Sequence, residues 1–343
     1  MKRKNYNFLT IMAVLGFSLL LFSQFSCGEK KPYVANSTGK TNEIILIIND
    51  NAHSSAIADT IMKFLTQDDL YLPQPEALYD VITIPRRDFD NQASVRKHHN
   101  ILLVNIKDTI KEGTYFSKDL WASPQLVLQF DANSDTSFYR MFRLYRRAIL
   151  AKLDQNELVR ARGITDLGKN IGLSDEILKQ FNIYMSVPAG FQVVKKDNDF
   201  LWFYQQRSDR KTEDMTASIM IWQIPYRAEL QFSTDSLIRE RNRVGRTYIA
   251  GPTAGSYMKT ATDYIYPQIK DLSDYASGFA VEMRGLWDLE GDFMGGPFIS
   301  YTFVHPETQM LITIDAFLYR PNHDKRPILR QLQAVITNIS FPK

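Results

Sequence analysis

The chain has 343 residues, and its formal net charge of +3 comes from 41 basic and 38 acidic residues. Residues 1–26 contain three of the basic residues and no acidic ones, so the other 317 residues carry 38 of each and are neutral. A neutral body gives no reason to expect binding to nucleic acid. The length allows two domains of ordinary size. We expect no metal and no cofactor, because no HExxH or similar histidine spacing occurs and Cys27 is the only cysteine.

The N-terminus has the layout of a bacterial lipoprotein signal. Basic residues 2–4 precede the apolar stretch 8–22, and Ser26 and Cys27 follow. This is the order of a secretory signal, and the apolar stretch is shorter than the roughly 20 residues that a transmembrane helix needs. We therefore predict that residues 1–26 are a signal peptide and that Cys27 becomes the lipid-carrying first residue. An uncleaved anchor helix is the alternative interpretation.

Residues 27–42 are polar and are predicted to be a tether between the lipid and the folded body. Glu29 is the only acidic residue in this stretch, and two lysines follow it directly. This composition favours a protein that faces the periplasm over one exported to the cell surface. A lipid with more than one acyl chain anchors a protein stably. We therefore expect a lipid-anchored protein of the cell envelope, in the outer membrane and facing the periplasm.

The predicted first domain, residues 43–182, alternates strands and helices. Ile44–Ile48 is a continuous apolar run, which is typical of a buried strand. Apolar residues recur at helical spacing after Ser54 and again over Ser137–Arg162. Further strands are predicted at 81–84, 101–106 and 126–130. The alternation predicts an α/β-like layer domain.

The predicted second domain, residues 183–343, is rich in strands. The apolar patterns predict strands at 184–188, 191–195, 200–205, 219–224, 278–289, 298–304 and 311–318, and helices at 234–246 and 326–338. We expect an antiparallel sheet with helices on one face, so that the whole chain has an α+β fold in two domains. One helix carries four arginines that are predicted to form a solvated face: Arg239, Arg241, Arg243 and Arg246.

The most unusual chemistry lies in the strand predicted at 278–289 and just beyond it. Alternate side chains of a strand share a face, so Glu282, Arg284, Asp288 and Glu290 lie on the same face. Two neighbouring carboxylates can do acid–base chemistry when their environments separate their pKa values. A solvated face with a Glu282–Arg284 ion pair is the plainer interpretation, and we favour it.

A glycine-rich loop, residues 291–297, follows this strand. Its three glycines and one proline predict a tight connection between two strands, and it lacks the Gly-Lys-Ser/Thr sequence of a phosphate-binding P-loop. Two apolar residues at its tip are candidates for contact with a partner. The complete candidate binding surface is Glu282, Arg284, Asp288, Glu290, Asp292, Phe293 and Met294.

Seven motifs along the chain carry a resemblance to a known family. They are Pro73–Pro75, His99–Leu102, Trp121–Gln125, Val187–Phe191, Gly251–Met258, Met283–Trp287 and Gly291–Pro297. In these motifs the chain resembles a family of uncharacterised lipoproteins, a domain of unknown function, from Bacteroidetes-type bacteria. The resemblance implies a lipoprotein of the cell envelope. It implies no activity, so no functional residues are carried over from it.

Two functional hypotheses follow from the sequence. The leading hypothesis is a non-enzymatic envelope lipoprotein that binds a partner protein or a small ligand, because the body is neutral and shows no catalytic motif such as Gly-x-Ser-x-Gly. The alternative is an envelope hydrolase that uses Glu282, Asp288, Glu290 or Asp292. The lipid on Cys27 would attach either protein to the membrane.

Overall fold

The computed structural model describes residues 34–49, 54–166, 168–209 and 212–342. The predicted signal peptide, Cys27 and the first part of the predicted tether lie outside these residues. None of the described helices combines the length and the apolar composition that a membrane crossing requires.

The first half of the body is built on a five-stranded sheet. In its described residues this half has seven strands: β1 (Ala35–Asn36), β2 (Glu43–Ile48), β3 (Asp80–Pro85), β4 (Asn100–Ile106), β5 (Gly113–Lys118), β6 (Ala122–Ser123) and β7 (Leu126–Ala132). The short strands β1 and β6 pair with each other, and the other five form the sheet. Its helices are α1 (Ser54–Leu65), α2 (Arg86–Asn91), α3 (Ala93–Arg96) and α4 (Asp135–Asp166). The strand order is β3-β2-β4-β7-β5, and every neighbouring pair is parallel except β5 with β7.

Both faces of this sheet are buried. On one face, Leu46 and Leu102 pack with Ile57 and Ile61 of α1 and with aromatic residues of α4. On the other face, Ile45 and Ile47 pack with residues of α2 and α3. A parallel sheet covered on both faces needs continuous apolar strands, and this is why the run Ile44–Ile48 is apolar throughout.

The second half is built on an eight-stranded antiparallel sheet. Its elements are α5 (Ile171–Phe181), β8 (Tyr184–Met185), β9 (Gln192–Asp197), β10 (Phe200–Asp209), β11 (Thr212–Pro225), a 3-10 turn (Glu229–Phe232), α6 (Thr234–Tyr248), β12 (Tyr257–Ala261), β13 (Gln268–Tyr275), β14 (Gly278–Glu290), β15 (Gly295–Val304), β16 (Met310–Tyr319), α7 (Arg326–Ile336) and β17 (Ile339–Ser340). The strand order is β12-β14-β15-β16-β11-β10-β9, and β13 pairs with the first half of β14. The strands β8 and β17 form a separate small pair.

The predicted α+β class in two domains is confirmed, with one difference in detail. Helices α5 and α7 cover one face of the antiparallel sheet, where they contact residues such as Ile219 and Ile221. Helix α6 covers the opposite face, where Met220 and Trp222 lie. Because consecutive residues of β11 are buried on opposite faces, the sheet needs helices on both sides rather than on one.

The structure has contacts near two predicted boundaries, the one between the domains at 182/183 and the end of the tether at residue 42. Residues Leu173, Ile177 and Phe181 of α5, placed before the predicted boundary at 182/183, pack into the core of the second half. In the predicted tether, the Thr38 N–H donates to the Lys97 carbonyl at 2.9 Å. The folded body therefore includes residues before Glu43.

The two halves meet at the start of α7. The Glu76 carboxylate accepts hydrogen bonds from the backbone N–H groups of Lys325 and Arg326, at 2.7 and 2.8 Å. The Arg326 guanidinium also pairs with Asp80 at 2.6 Å. A carboxylate satisfies and stabilises the unpaired N–H groups of a helix N-terminus. A residue of the first half therefore caps a helix of the second.

A buried histidine cluster fixes the beginning of the body. The rings of His98 and His99 are 4.6 Å apart. The Nε2 atom of His98 lies 2.9 Å from Glu43, and that of His99 lies 2.7 Å from Glu157. The Nδ1 atom of His99 contacts the Thr38 carbonyl at 2.8 Å. These bonds join β2, β4 and α4 to the chain that enters the body.

This cluster predicts a loss of stability on acidification. Burial lowers the pKa of His98 from its ordinary value of 6.5, although the hydrogen bond that His98 donates to the Glu43 carboxylate opposes the shift. Burial would raise the pKa of Glu43 and of Glu157, but their contacts with His98 and His99 respectively outweigh it and hold both below 4.5. All three groups therefore bind protons more readily in the unfolded chain than in the folded one.

We therefore expect the unfolding temperature to fall as the pH drops from 7.5 to 5.5, mainly through His98, and to fall further below about 4.5 as the two carboxylates protonate. Thermal unfolding monitored by circular dichroism measures this. The variant His98→Asn should flatten the slope between pH 7.5 and 5.5, because it removes the group whose pKa burial lowers. An unfolding temperature that rises on acidification would contradict the prediction.

Candidate functional site

A cleft with a volume of about 670 Å³ lies between the two halves of the body. The first half contributes the connector 69–79 and one face of α4, and the second contributes β13, β14, β15 and α7. Binding pockets for small molecules commonly measure about 300–1,000 Å³ and often lie where domains meet. The cleft therefore has the size and the position of a ligand site.

Glu282 of β14 is at the centre of the cleft. It pairs across the sheet with Tyr301 of β15, and both side chains point to the face that α7 covers in part. Its carboxylate accepts from the Arg284 Nε at 2.8 Å and from the Tyr301 hydroxyl. The Gln333 amide of α7 donates to the Tyr301 hydroxyl oxygen at 2.8 Å.

The Glu282 carboxyl is held in its ionised form. Burial alone would raise its pKa, but the charge and hydrogen bond of Arg284 and the hydrogen bond of Tyr301 lower the pKa below its usual value. Both carboxylate oxygens are occupied by donors of the protein. Glu282 is therefore neither a proton donor at neutral pH nor a free nucleophile.

A second polar group connects the cleft to the first half. The Arg330 guanidinium of α7 donates to Asp154 of α4 at 2.7 Å and to Gln333 at 3.0 Å. The Tyr79 hydroxyl donates to the same Asp154 oxygen at 2.8 Å. Together with Glu282 and its partners, these bonds form one continuous polar network that crosses the cleft wall between the two halves.

Two donors of residues that line the cleft have no acceptor. The Tyr71 hydroxyl and the Arg162 Nε are buried and have no hydrogen-bond partner. The Arg284 side chain differs from these two because it is 24% exposed, and it uses its Nε on Glu282. Buried polar groups are normally hydrogen-bonded, so each exception requires an explanation.

The structure divides the predicted candidate surface. Glu282 and Arg284 line the cleft, whereas the other five candidate residues do not. Glu290 forms an exposed ion pair with Lys259 at 2.7 Å. The side chain of Asp288 is half-buried and its Oδ1 has no partner, and burial raises its pKa. The two halves of this long strand pair with different neighbours, β13 and β12, and this separates the two groups of residues.

The loop after β14 has an internal structural role. Asp292 accepts hydrogen bonds from the Thr253 N–H at 3.1 Å and from the Thr253 hydroxyl at 2.7 Å. Met294 packs against the core under α6, while Phe293 is fully exposed. Asp292 therefore ties two loops together, and of the two apolar residues Phe293 is the more exposed, since Met294 is partly buried.

Most of the residues around the cleft could not be identified from the sequence. Tyr71, Asp154, Arg162 and Arg330 come from segments far apart in the chain and belong to no motif. Gln333 is the residue that the sequence could have indicated, because it interrupts the apolar stripe of α7, and in the structure it is buried. A polar residue at a core position predicts a buried hydrogen-bond partner.

A second cavity, of about 340 Å³, lies under α6 on the opposite face of the sheet. Arg241 lies at its edge and is buried, with its Nε 2.9 Å from the buried carboxylate of Asp315. The prediction that the arginines of α6 form a solvated face is therefore wrong for Arg241. It is correct for Arg243, which is exposed and pairs with Glu240 one turn away.

No metal site is apparent in the part of the chain that the structure describes, since nowhere in it do three His, Cys, Asp or Glu side chains come together.

Two family models match the chain. Residues 171–338 match a family described as Domain of unknown function (DUF4837), and residues 37–165 match one described as Domain of unknown function (DUF8532). Both halves match uncharacterised domain families. This confirms the expectation of an uncharacterised family, and the two matched ranges correspond to the two sheets. No curated protein matches the chain in sequence.

Solved structures show only distant similarity. The Saccharomyces cerevisiae Ran-binding protein Mog1p is 10% identical with a TM-score of 0.31, and the match covers 47% of this chain and 90% of that one. LpqN, involved in cell envelope biogenesis of Mycobacterium tuberculosis, is 10% identical with a TM-score of 0.27, and the match covers 47% and 83%. At these values the similarities give no information about the function of this chain.

Proposed function

We propose that this protein is a lipid-anchored protein of the cell envelope that binds a small polar molecule in the cleft between its two halves. The observation that carries the binding proposal is the cleft itself: both halves line it, its volume is that of a ligand pocket, and a polar network runs along its wall. The signal-like N-terminus supports the envelope location.

The alternative of a hydrolase has less support. Of the four carboxylates it invoked, only Glu282 lines the cleft, and its two oxygens are engaged by Arg284 and Tyr301. Asp288, Glu290 and Asp292 lie elsewhere on the molecule. A carboxylate pair for acid–base catalysis needs two groups on either side of one substrate bond.

If Cys27 carries the lipid, the variant Cys27→Ser cannot be lipidated. Because the lipid is attached to the cysteine sulfur, this variant should lose metabolic labelling by a fatty acid and should accumulate as the precursor or leave the membrane fraction. The unmodified chain is the positive control. Labelling that persists in Cys27→Ser would contradict the proposal.

The binding part predicts that filling the cleft abolishes binding. Ala151 lies on α4, is exposed and lines the cleft, so Ala151→Trp should block the cleft without disturbing the core. Ala148→Trp is the matched control, since Ala148 is exposed on the same helix but does not line the cleft. The assay is ligand-observed NMR on the detergent-solubilised full chain, mixed with an extract of small polar molecules from the cells that produce it.

We expect the original chain and Ala148→Trp to attenuate the signals of the same compounds, and Ala151→Trp to leave those signals unchanged. Equal attenuation by Ala151→Trp, or attenuation of no compound by the original chain, would contradict binding in the cleft.

A further inference from the structure

The polar groups left unsatisfied in the cleft are donors of hydrogen bonds. The Arg162 Nε is buried without a partner, and an arginine has no acceptor atom. The Tyr71 hydroxyl is also buried without a partner, and burial together with the nearby charge of Asp69 raises its pKa, so that it keeps its proton. A ligand that satisfies this cleft must therefore supply acceptor oxygens.

The acceptors of the cleft, in contrast, are largely used. Glu282 accepts from Arg284 and Tyr301, and Asp154 accepts from Arg330 and Tyr79. Asp69 accepts from the Tyr71 backbone N–H at 3.1 Å. A ligand rich in donors would find few free partners here, so the chemistry of the cleft selects for acceptors.

Four basic and four acidic residues line the cleft, so it lacks the excess of positive charge that a ligand with several negative charges needs. Two of the four lining cations, Arg284 and Arg330, are already paired with carboxylates. Arg162 donates instead to the carbonyl and hydroxyl oxygens of Thr337, at 3.1 and 2.9 Å. The four lining carboxylates, which include Asp69 and Asp274, would repel a ligand with several negative charges.

The donors belong to three residues that line the cleft, Tyr71, Arg162 and Arg284. The charge of Arg284 opposes the rise in the pKa of the Tyr71 hydroxyl. The Arg162 guanidinium is held by its hydrogen bonds to Thr337. The terminal nitrogens of a guanidinium fit the two oxygens of a carboxylate.

We infer that the cleft recognises a small molecule with a single carboxylate, which accepts hydrogen bonds from Arg284 and the Tyr71 hydroxyl, and with a second acceptor oxygen that Arg162 binds. This inference rests on the proposed function, because it specifies the class of molecule that binds in the same cleft.

Tyr71→Phe separates a binding role from a structural one. The hydroxyl has no partner in the free protein, so its removal should leave the unfolding temperature of the free protein unchanged within about 1 °C or raise it slightly. In the complex the same change removes a hydrogen bond to a charged group, so affinity should fall by about 10-fold or more. Tyr204→Phe, on a strand away from the cleft, is the control.

The probes are a set of N-acetylated amino acids, each paired with its primary amide, which keeps the shape and removes the charge. Their binding to the full chain is measured by ligand-observed NMR and titration. We expect acids to bind and the paired amides to bind at least about 10-fold more weakly. We further expect Tyr71→Phe and Arg162→Gln to lower the affinity for the acids, and Tyr204→Phe to leave that affinity unchanged.

Amides that bind as tightly as their acids would overturn the inference, as would acids whose affinity does not change in Tyr71→Phe. If neither set binds while the cell extract still contains compounds that Ala151→Trp excludes, the inference fails and the proposed function stands. If Ala151→Trp excludes nothing either, the proposed function fails and the inference fails with it.

Discussion

Replacing Arg241 with Met is expected to lower the free energy of unfolding by about 3–5 kcal/mol, because the change leaves the carboxylate of Asp315 buried without its partner. The Arg241 guanidinium makes two hydrogen bonds to Asp315, at 2.9 and 3.4 Å, and lies 3.8 Å above the ring of Phe298. Burial raises the pKa of Asp315 even with the arginine in place. Urea unfolding followed by tryptophan fluorescence measures the loss.

The matched control is Arg243→Met, one half-turn along the same helix, where the arginine is exposed and pairs with Glu240. Exposed pairs contribute at most about 1 kcal/mol, so this variant should unfold almost as the original chain does. The double variant Arg241→Met/Asp315→Leu should recover most of the lost stability, because it removes the buried charge as well. Equal losses for Arg241→Met and Arg243→Met would contradict this account of α6.

Replacing Glu157 with Ala is expected to destabilise the first half by at least about 3 kcal/mol, since it leaves several buried donors without an acceptor. The Glu157 carboxylate lies 2.7 Å from both His99 Nε2 and Asn100 Nδ2, and it also accepts from the backbone of Asn42. Glu157, His99, Asn100 and Asn42 are all buried.

Gln155→Ala is the control for this variant, because Gln155 lies on the same helix and is exposed. It should change the free energy of unfolding by less than about 0.5 kcal/mol. Hydrogen exchange adds a local test: in Glu157→Ala the amides of residues 37–48 should lose protection, since the histidine cluster holds the entry of the chain into the body. Unchanged protection at these amides would show that other contacts hold this segment.

Much of the fold can be predicted from the amino-acid sequence because apolar periodicity is a local property. The buried strand at Ile44–Ile48, the long helix α4 and the final helix α7 all follow from the spacing of apolar residues. The strands β5 and β13 were not predicted, since both contain few apolar residues and therefore lack the apolar alternation that marks a half-buried strand.

The candidate site was predictable only in part, for a related reason. The alternation of β14 correctly places Glu282 and Arg284 on one face, and the structure places them in the cleft. The same alternation also grouped them with Asp288 and Glu290, because periodicity says which residues share a face but not what lies opposite each of them. What lies opposite each residue of β14 depends on α7 and α4, and these two helices cover only the first part of the strand.

The sequence by itself determined the elements with strong apolar periodicity, the two-domain α+β organisation and the residues that share a face of a strand, since these depend on neighbours within a few residues. Only the tertiary structure decided which charges are buried. Arg241 differs from Arg243 in having a carboxylate 74 residues away beneath it, and the cleft gathers groups from Asp69 to Gln333. Burial and pairing are properties of contacts distant in sequence, and no local pattern carries them.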